Sequence, residues 1–209
     1  MASIGIMGGT FNPIHIGHIE IAKSAYEQYP LDEVWFMPNH TPAYKSDKDL
    51  VSSKDRMSMV NLAIKGYPYF KSSDFEIKRD GPTYSSETFI LLHEQYPNDV
   101  FYFIMGADSL FYFEKWKQPE NIVRYATILV APRDEKNITE IQDKMNDLNE
   151  KYGENSFQII RCPKIPCSSS EIRLQLELCN LNDNAHAEAK QLNLPIEVYQ
   201  YILEHGLYL

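Results

Sequence analysis

Two histidines near the start of the chain follow a pair of glycines, a combination that could bind phosphate. His15 and His18 come after Gly8 and Gly9 and lie at the start of a helical pattern. Glycines let the backbone approach a ligand closely, and the start of a helix favours an anion. The segment matches neither G-x-G-x-x-G nor the G-x-x-x-x-G-K-S/T phosphate loop. We predict a polyphosphate site formed by Gly8, Gly9, Thr10, Phe11, His15 and His18. In the alternative interpretation, an Asn-Pro turn is followed by histidines that lie on the surface or pack.

A run of serines before an arginine forms a second candidate anion site. Ser168, Ser169 and Ser170 are suited to cap a helix and to leave backbone N–H groups for an anion. Arg173 lies one turn inside that helix and adds a cation. We predict that Ser168, Ser169 and Arg173 contact phosphate. The alternative is an ordinary capping run with a surface arginine.

Three further segments offer groups for nucleotide binding. Tyr84 and Ser85 lie where a turn leads into a helix, whose exposed amides and hydroxyls could hold a carboxylate. Gly106 and Asp108 directly follow a predicted strand, and a carboxylate in that position suits ribose hydroxyls. Trp116 could stack on a ligand ring, although a tryptophan is more often simply packed.

The elements that must position these residues alternate between strand and helix. Apolar runs predict strands at 4–7, 34–37, 73–77, 100–105, 127–131 and 157–160. Helical spacing and capping residues predict helices at 16–29, 53–64 with Ser53 as the cap, 84–95, 136–152, 170–178 and 195–205. The segment 38–50 is polar and contains proline, which predicts a loop.

This alternation predicts an α/β fold, a Rossmann-like, doubly wound parallel sheet with a small C-terminal helical extension. We expect one domain over residues 1–209, in which 163–209 form a helical part that carries the second phosphate motif. Ligands of such sheets bind at the carboxyl ends of the strands. Gly8, Gly106 and Arg133 each follow a predicted strand, so we expect them to open onto one cleft.

Composition excludes several classes of protein. The formal net charge is −9, which argues against a nucleic-acid binder because backbone affinity needs a basic surface. No segment approaches the length of a membrane span, and the first residues lack a signal-peptide pattern. The three cysteines have no metal-ligand spacing and indicate a reducing compartment. We therefore expect a cytoplasmic protein with no nucleic-acid or membrane partner.

The segment from Gly8 to His18 resembles the signature of the HxGH nucleotidyltransferases, and specifically of the nicotinate-mononucleotide adenylyltransferases. Residues 167–173 are similar to the second phosphate motif of that family, Ile-Ser-Ser-Thr-x-Ile-Arg, with Cys167 in place of Ile and Ser170 in place of Thr. The resemblance spans nearly the whole chain. It implies that His15, His18 and Arg173 act on the phosphates of ATP.

The same resemblance implies a second substrate, nicotinate mononucleotide. Residues 81–88 are similar to the G-x-S-Y-T-x-x-T turn of the family, and a G-A-D segment and a downstream Trp also match. The family has Pro-Pro-His-Lys in the loop after the second strand, whereas this chain has Tyr44 in place of the His and retains Lys45. Lys45 could reach a phosphate or could be a solvated cation. The resemblance assigns the pyridine nucleotide to Lys45, Tyr84, Ser85, Trp116 and Arg133.

The activity implied is adenylyl transfer from ATP to nicotinate mononucleotide, with Mg²⁺ carried by the phosphates and no metal cage in the protein. The attacking phosphate is mostly dianionic, so the reaction needs no general base. Alternatives are nicotinamide mononucleotide as substrate, a phosphopantetheine adenylyltransferase, a cytidylyltransferase or a non-catalytic nucleotide sensor. The oligomeric state is open, and a homo-oligomer is compatible with the 12% aromatic content.

Overall fold

A central parallel sheet positions the candidate residues. The computed structural model describes residues 1–42, 50–132, 137–163, 165–178 and 185–209. In these ranges the strands of the main sheet are β1 (Ser3–Gly9), β2 (Glu33–Pro38), β4 (Phe70–Ser72), β6 (Val100–Gly106), β7 (Ala126–Ala131) and β8 (Phe157–Ile159). Two short strands, β3 (Thr41–Pro42) and β5 (Pro82–Thr83), pair with each other in a separate parallel ribbon.

The strand order of the main sheet is β4-β2-β1-β6-β7-β8, and every pairing is parallel. The chain first builds the sheet outward from β1 through β2 to β4, and then returns to β6 and builds in the opposite direction. The order therefore reverses between β1 and β6, where a crevice forms at the carboxyl ends of the strands. The predicted Rossmann-like, doubly wound sheet is confirmed.

Helices cover both faces of the sheet. Their bounds are α1 (Ile16–Gln28), α2 (Ser53–Ile64), α3 (Ser85–Gln95), α4 (Ala107–Tyr112), α5 (Pro119–Tyr125), α6 (Ile138–Tyr152), α7 (Ser169–Leu178), α8 (Ala185–Gln191) and α9 (Ile196–Glu204). Each face has its own apolar core, because successive residues of a buried strand point to opposite sides. Met7 packs into one core and Ile6 into the other.

The helices of the predicted C-terminal part join one of these cores. Ile172 of α7 and Ile202 of α9 pack in the same cluster as Ile19 of α1 and Val60 of α2. The backbone N–H of Ile16 also donates to the Asn193 carbonyl at 2.8 Å. Among the described helices, none is both long and apolar enough to cross a membrane.

Several predictions about individual elements are wrong. The predicted strand 73–77 is a turn in which the Lys78 N–H donates to the Asp74 carbonyl at 3.0 Å, and the strand lies earlier, at Phe70–Ser72. The cap of α2 is Ser52, whose hydroxyl accepts from the Asp55 N–H at 3.1 Å, rather than Ser53. The sequence interpretation also missed β3, β5, α5 and α8.

Candidate active site

Two adjoining cavities open at the carboxyl ends of β1 and β6. The larger cavity, of about 750 Å³, is lined by most of the predicted ATP-binding residues: Gly8, Gly9, Thr10, Phe11, His18, Gly106, Asp108, Ser169 and Arg173. The smaller cavity, of about 220 Å³, contains Tyr84 and Ser85 in its lining. Gly8, Gly9, Thr10 and Trp116 line both, so the two cavities form a continuous cleft. Its larger part is in the size range of small-molecule sites.

The two histidines lie together but are exposed to different extents. Their ring centroids are 3.7 Å apart, and the His15 N–H donates to His18 Nδ1 at 3.3 Å at the start of α1. His18 lines the larger cavity, whereas His15 has 1% of its surface exposed and packs behind His18. The two rings therefore lie against each other at the start of α1. The His18 imidazole lines the cavity, and the buried His15 ring packs against it on the side away from the cavity.

Contacts between the two phosphate motifs join opposite ends of the sequence. His15 Nδ1 lies 3.2 Å from Cys167 Sγ, and the Ser169 hydroxyl donates to the Pro13 carbonyl at 2.9 Å. A Cβ at Gly17 would lie 3.0 Å from both Cys167 Sγ and His15 Nδ1. The glycine between the histidines therefore provides the space that lets the second motif pack against the first.

Ser168 and Arg173 occupy different places in the second motif. The Ser168 hydroxyl accepts from the Glu171 N–H at 3.2 Å and caps α7, so it stands at the helix start outside the described cavity lining. Arg173 lines the larger cavity and donates from Nη1 to the Asn12 carbonyl at 2.9 Å. The guanidinium is thereby held against the first motif.

Arg56 of α2 is a fully buried cation that the sequence interpretation missed. Its guanidinium donates to the Thr10 carbonyl and the His40 carbonyl, each at 2.8 Å, and to Asn39 Oδ1 at 3.3 Å. Buried charge is tolerated only when it is well hydrogen-bonded. Arg56 therefore fixes the backbone at the ends of β1 and β2, where both cavities begin.

The smaller cavity is built around a buried carboxyl group. Glu76 has 8% of its surface exposed and accepts hydrogen bonds from Thr88 at 2.6 Å and from Thr83 at 3.1 Å. Burial raises the pKa of Glu76, although the two hydroxyls oppose that shift. Trp116 packs against Phe103 and Phe113 and also lines both cavities. It is therefore packed, as most tryptophans are, and is also exposed to a ligand in the cleft.

The charged groups beside the smaller cavity are paired. Glu87 bonds Lys117 at 2.6 Å and Arg79 at 2.9 Å, and these cations lower its pKa. Arg79 also donates to the Thr88 hydroxyl at 2.9 Å. Lys117 lies over the Tyr84 ring, 4.3 Å from its centroid. Two cations thus face one ionised carboxylate here, next to the buried carboxyl group of Glu76.

Some predicted site residues cannot be placed. Lys45, with the neighbouring departure Tyr44, and Arg133 lie outside the described residues. The structure adds cavity residues that the motifs did not reveal: Asn39, Glu76, Thr83, Thr88, Ser109, Tyr112, Lys115 and Lys117. Thr83 and Thr88 occupy the Ser position and the last Thr position of the G-x-S-Y-T-x-x-T turn motif. That motif could therefore have predicted them as site residues.

No protein cage for a metal ion is seen in the ranges 1–42, 50–132, 137–163, 165–178 and 185–209, where no three His, Cys, Asp or Glu side chains gather as ligands. In the larger cavity, Asp108 offers a carboxylate among hydroxyl and basic groups such as Ser169, Lys115 and Arg173. Asp108 is the carboxylate in this set that could hold a hydrated Mg²⁺ ion arriving on a phosphate ligand, whereas the two cations would contact the phosphates.

Comparison with known proteins identifies the family of this chain. Residues 6–175 match the family described as cytidylyltransferase-like. A protein of Lachnoclostridium phytofermentans named "probable nicotinate-nucleotide adenylyltransferase" is 41% identical over 209 residues, which cover 100% of both chains. A protein of the same name from Dehalococcoides mccartyi is 37% identical over 98% of this chain and 96% of its own length. The chain belongs to the cytidylyltransferase-like family of nucleotidyltransferases.

Within that family, the resemblance to nicotinate-mononucleotide adenylyltransferases predicted from the motifs is confirmed by these relatives. The Plasmodium falciparum nicotinic acid mononucleotide adenylyltransferase complexed with NaAD superposes with a TM-score of 0.78 at 23% identity, over 100% of this chain and 98% of that chain. The same enzyme complexed with APC gives a TM-score of 0.77 at 22% identity, with the same coverage of each chain. At such identities the likeness establishes the fold.

Proposed function

We propose that this protein is an adenylyltransferase that joins ATP and nicotinate mononucleotide, giving nicotinate adenine dinucleotide and pyrophosphate in NAD biosynthesis. The observation that carries the proposal is the meeting of two phosphate motifs at one cavity. His15 and Cys167 are 152 positions apart in sequence, and the contact between them brings His18 and Arg173 to the same space. A second cavity adjoins it, so two substrates can lie end to end.

In the proposed reaction, a phosphate oxygen of nicotinate mononucleotide attacks the α-phosphorus of ATP. A new P–O bond forms as the bond to the pyrophosphate oxygen breaks, and pyrophosphate leaves as an anion. The attacking phosphate is already largely ionised near neutral pH. Catalysis then consists of aligning two anions and stabilising charge on the α-phosphate and the leaving group. We assign this work to His18 and Arg173, with His15 supporting His18 and Lys45 as a further cation.

ATP is proposed to lie along Gly8–Phe11, with its phosphates toward the start of α1 and its ribose near Gly106 and Asp108. The N-termini of α1 and α7 add favourable dipoles for the phosphates, with Ser168 and Ser169 at the start of α7. Mg²⁺ would neutralise phosphate charge while bound mostly by the phosphates and water. A cytoplasmic location and a homo-oligomeric state stay predictions.

Nicotinate mononucleotide is proposed to occupy the smaller cavity, with Tyr84, Ser85 and Trp116 around the pyridine and Lys45 and Arg133 toward its phosphate. The charge balance supports the acid rather than the amide. Glu87 is neutralised by Lys117 and Arg79, and the carboxyl group of Glu76 has a raised pKa. A ligand carboxylate therefore meets a neutral to positive environment.

Pyrophosphate release measured side by side with nicotinate mononucleotide and nicotinamide mononucleotide tests the proposal. We expect the acid to be used with the higher kcat/KM. A large preference for the amide would overturn the substrate assignment, and release with neither substrate would overturn the activity.

A further inference from the structure

Tyr208, far from both phosphate motifs in sequence, contacts the first of them. Its hydroxyl donates to Asn12 Oδ1 at 2.7 Å. The residue adopts a φ of +61°, a left-handed conformation that few residues other than glycine adopt. The surrounding packing, in the same apolar cluster as Phe11 and Ile14, holds it there.

Asn12 lines the larger cavity and is hydrogen-bonded to three other segments of the chain. It has 7% of its surface exposed and belongs to the cavity lining. Its Oδ1 also accepts from the Val51 N–H at 3.3 Å, and its carbonyl accepts from Arg173 Nη1 at 2.9 Å. The asparagine therefore links Tyr208 and Val51 on its side-chain oxygen to Arg173 on its backbone oxygen.

The phenol of Tyr208 is suited to remain a donor. Burial raises its pKa, and the nearby guanidinium groups of Arg173 and Arg56 oppose this shift only in part. The hydroxyl therefore keeps its proton through the neutral range. A hydrogen bond to a buried partner also fixes orientation, because leaving that partner unsatisfied is costly.

We propose that Tyr208 is a positioning residue of the phosphate site. Its hydroxyl fixes the side chain of Asn12, and the fixed Asn12 carbonyl holds the guanidinium of Arg173 toward the larger cavity. This inference deepens the proposed function, because it takes the ligand of that cavity to be ATP. It requires no contact between Tyr208 and the substrate.

The test uses Tyr208→Phe, which removes only the hydroxyl, and Tyr201→Phe as its matched control. The Tyr201 hydroxyl donates to Asp55 Oδ1 at 2.9 Å and lines neither cavity. Titration calorimetry with ATP gives the Kd of each full-length variant, and thermal unfolding gives the Tm. We expect Tyr208→Phe to weaken ATP binding about three- to tenfold, as the loss of one hydrogen bond implies. Tyr201→Phe should leave the Kd unchanged at a similar change in Tm.

A double-mutant cycle separates positioning from general packing. In an Arg173→Met background, Tyr208→Phe should have little further effect on the Kd for ATP. An unchanged Kd in Tyr208→Phe, or the same fold loss with and without Arg173, would overturn the inference. Failure of the wild-type protein to bind ATP would overturn it too. If ATP binding responds as expected while nicotinate mononucleotide gives no pyrophosphate, the inference stands and the proposed function fails.

Discussion

The larger and the smaller cavity share a wall but differ in the origin of their charge. The described lining of the larger cavity contains three basic side chains, His18, Lys115 and Arg173, and one carboxylate, Asp108. The described lining of the smaller cavity contains one basic side chain, Lys117, which is bonded to Glu87, and the buried carboxyl group of Glu76. The larger cavity therefore presents basic side chains that come from separate elements. The smaller cavity presents hydroxyl groups and a lysine that already forms an ion pair within the protein.

On the proposed function, this difference would let one cleft hold two anionic substrates at separate places. A triphosphate would meet two cations, Arg173 of α7 and Lys115 after α4, together with the His18 ring of α1. A single carboxylate needs only a neutral to weakly positive environment with hydrogen-bond donors. The distinction can be tested by changing one cavity at a time.

The largest effect is expected from His18→Ala. His18 lines the larger cavity at the start of α1. On the proposed mechanism, its loss removes a hydrogen-bond donor to the charge that develops on the phosphates. We expect turnover to fall by about two to three orders of magnitude with the fold intact. His93→Ala is the matched control, because His93 stacks on Tyr125 away from both cavities. Wild-type turnover in a folded His18→Ala protein would contradict the mechanism.

Two lysines two positions apart allow a direct comparison of the cavities. Lys115 lines the larger cavity and Lys117 the smaller one. We expect Lys115→Met to raise the KM for ATP about fivefold and Lys117→Met to raise the KM for nicotinate mononucleotide about fivefold, because each removes one exposed cation. Steady-state kinetics with each substrate varied in turn measures both. If either variant raises both KM values equally, the two cavities do not bind separate substrates.

Glu76→Gln tests the buried carboxyl group of the smaller cavity through the pH dependence of stability. The fold raises the pKa of Glu76 above its ordinary value of 4.5. Between pH 4.5 and the raised pKa, the carboxyl group of Glu76 is ionised in the unfolded chain but still protonated in the folded protein. The wild type therefore loses stability as pH rises through this range. The variant lacks this loss and should gain a few degrees in Tm relative to wild type on going from pH 4 to pH 8. If the Tm values of the two proteins change in parallel with pH, folding does not raise the pKa of Glu76.

The smallest effect is expected from Glu114→Gln, because Glu114 lines neither cavity. Glu114 bonds Lys144 and Lys151, each at 2.6 Å, and these bonds lower its pKa to about 2. The resulting stability is present above pH 4.5 and is lost as pH falls toward 2. The variant should lose no more than a few degrees in Tm at pH 7, because solvent screens exposed ion pairs. A difference in Tm that persists undiminished at pH 2 would mean that the ion pairs are not its cause.

The larger cavity could be predicted from the sequence because its residues come in short contiguous motifs. Gly8 to His18 contains the end of a strand, a turn and the start of a helix, and each part has a local signature. Spacing alone could not show that His15 is buried behind His18, because that depends on Cys167 packing against Gly17. Local pattern gave the candidates, and long-range packing decided which ring reaches the cavity.

The smaller cavity could be predicted only in part. The alternation of Phe75 and Ile77 around Glu76 is typical of a strand, which would place the carboxyl group on the polar face. The chain instead turns, and Glu76 points inward to Thr83 and Thr88. The ion pair between Lys117 and Glu87 could not be predicted either, because the two residues lie on different elements.

The absence of a side chain at Gly17 has a consequence for how this sequence can evolve. An added methyl group would press on both the Cys167 thiol and the His15 imidazole, so an alanine at this position requires both groups to move by a few tenths of an ångström. Conversely, a bulkier residue at position 167 has to find its space away from Gly17. The residue types accepted at these two distant positions are therefore expected to depend on each other along a lineage.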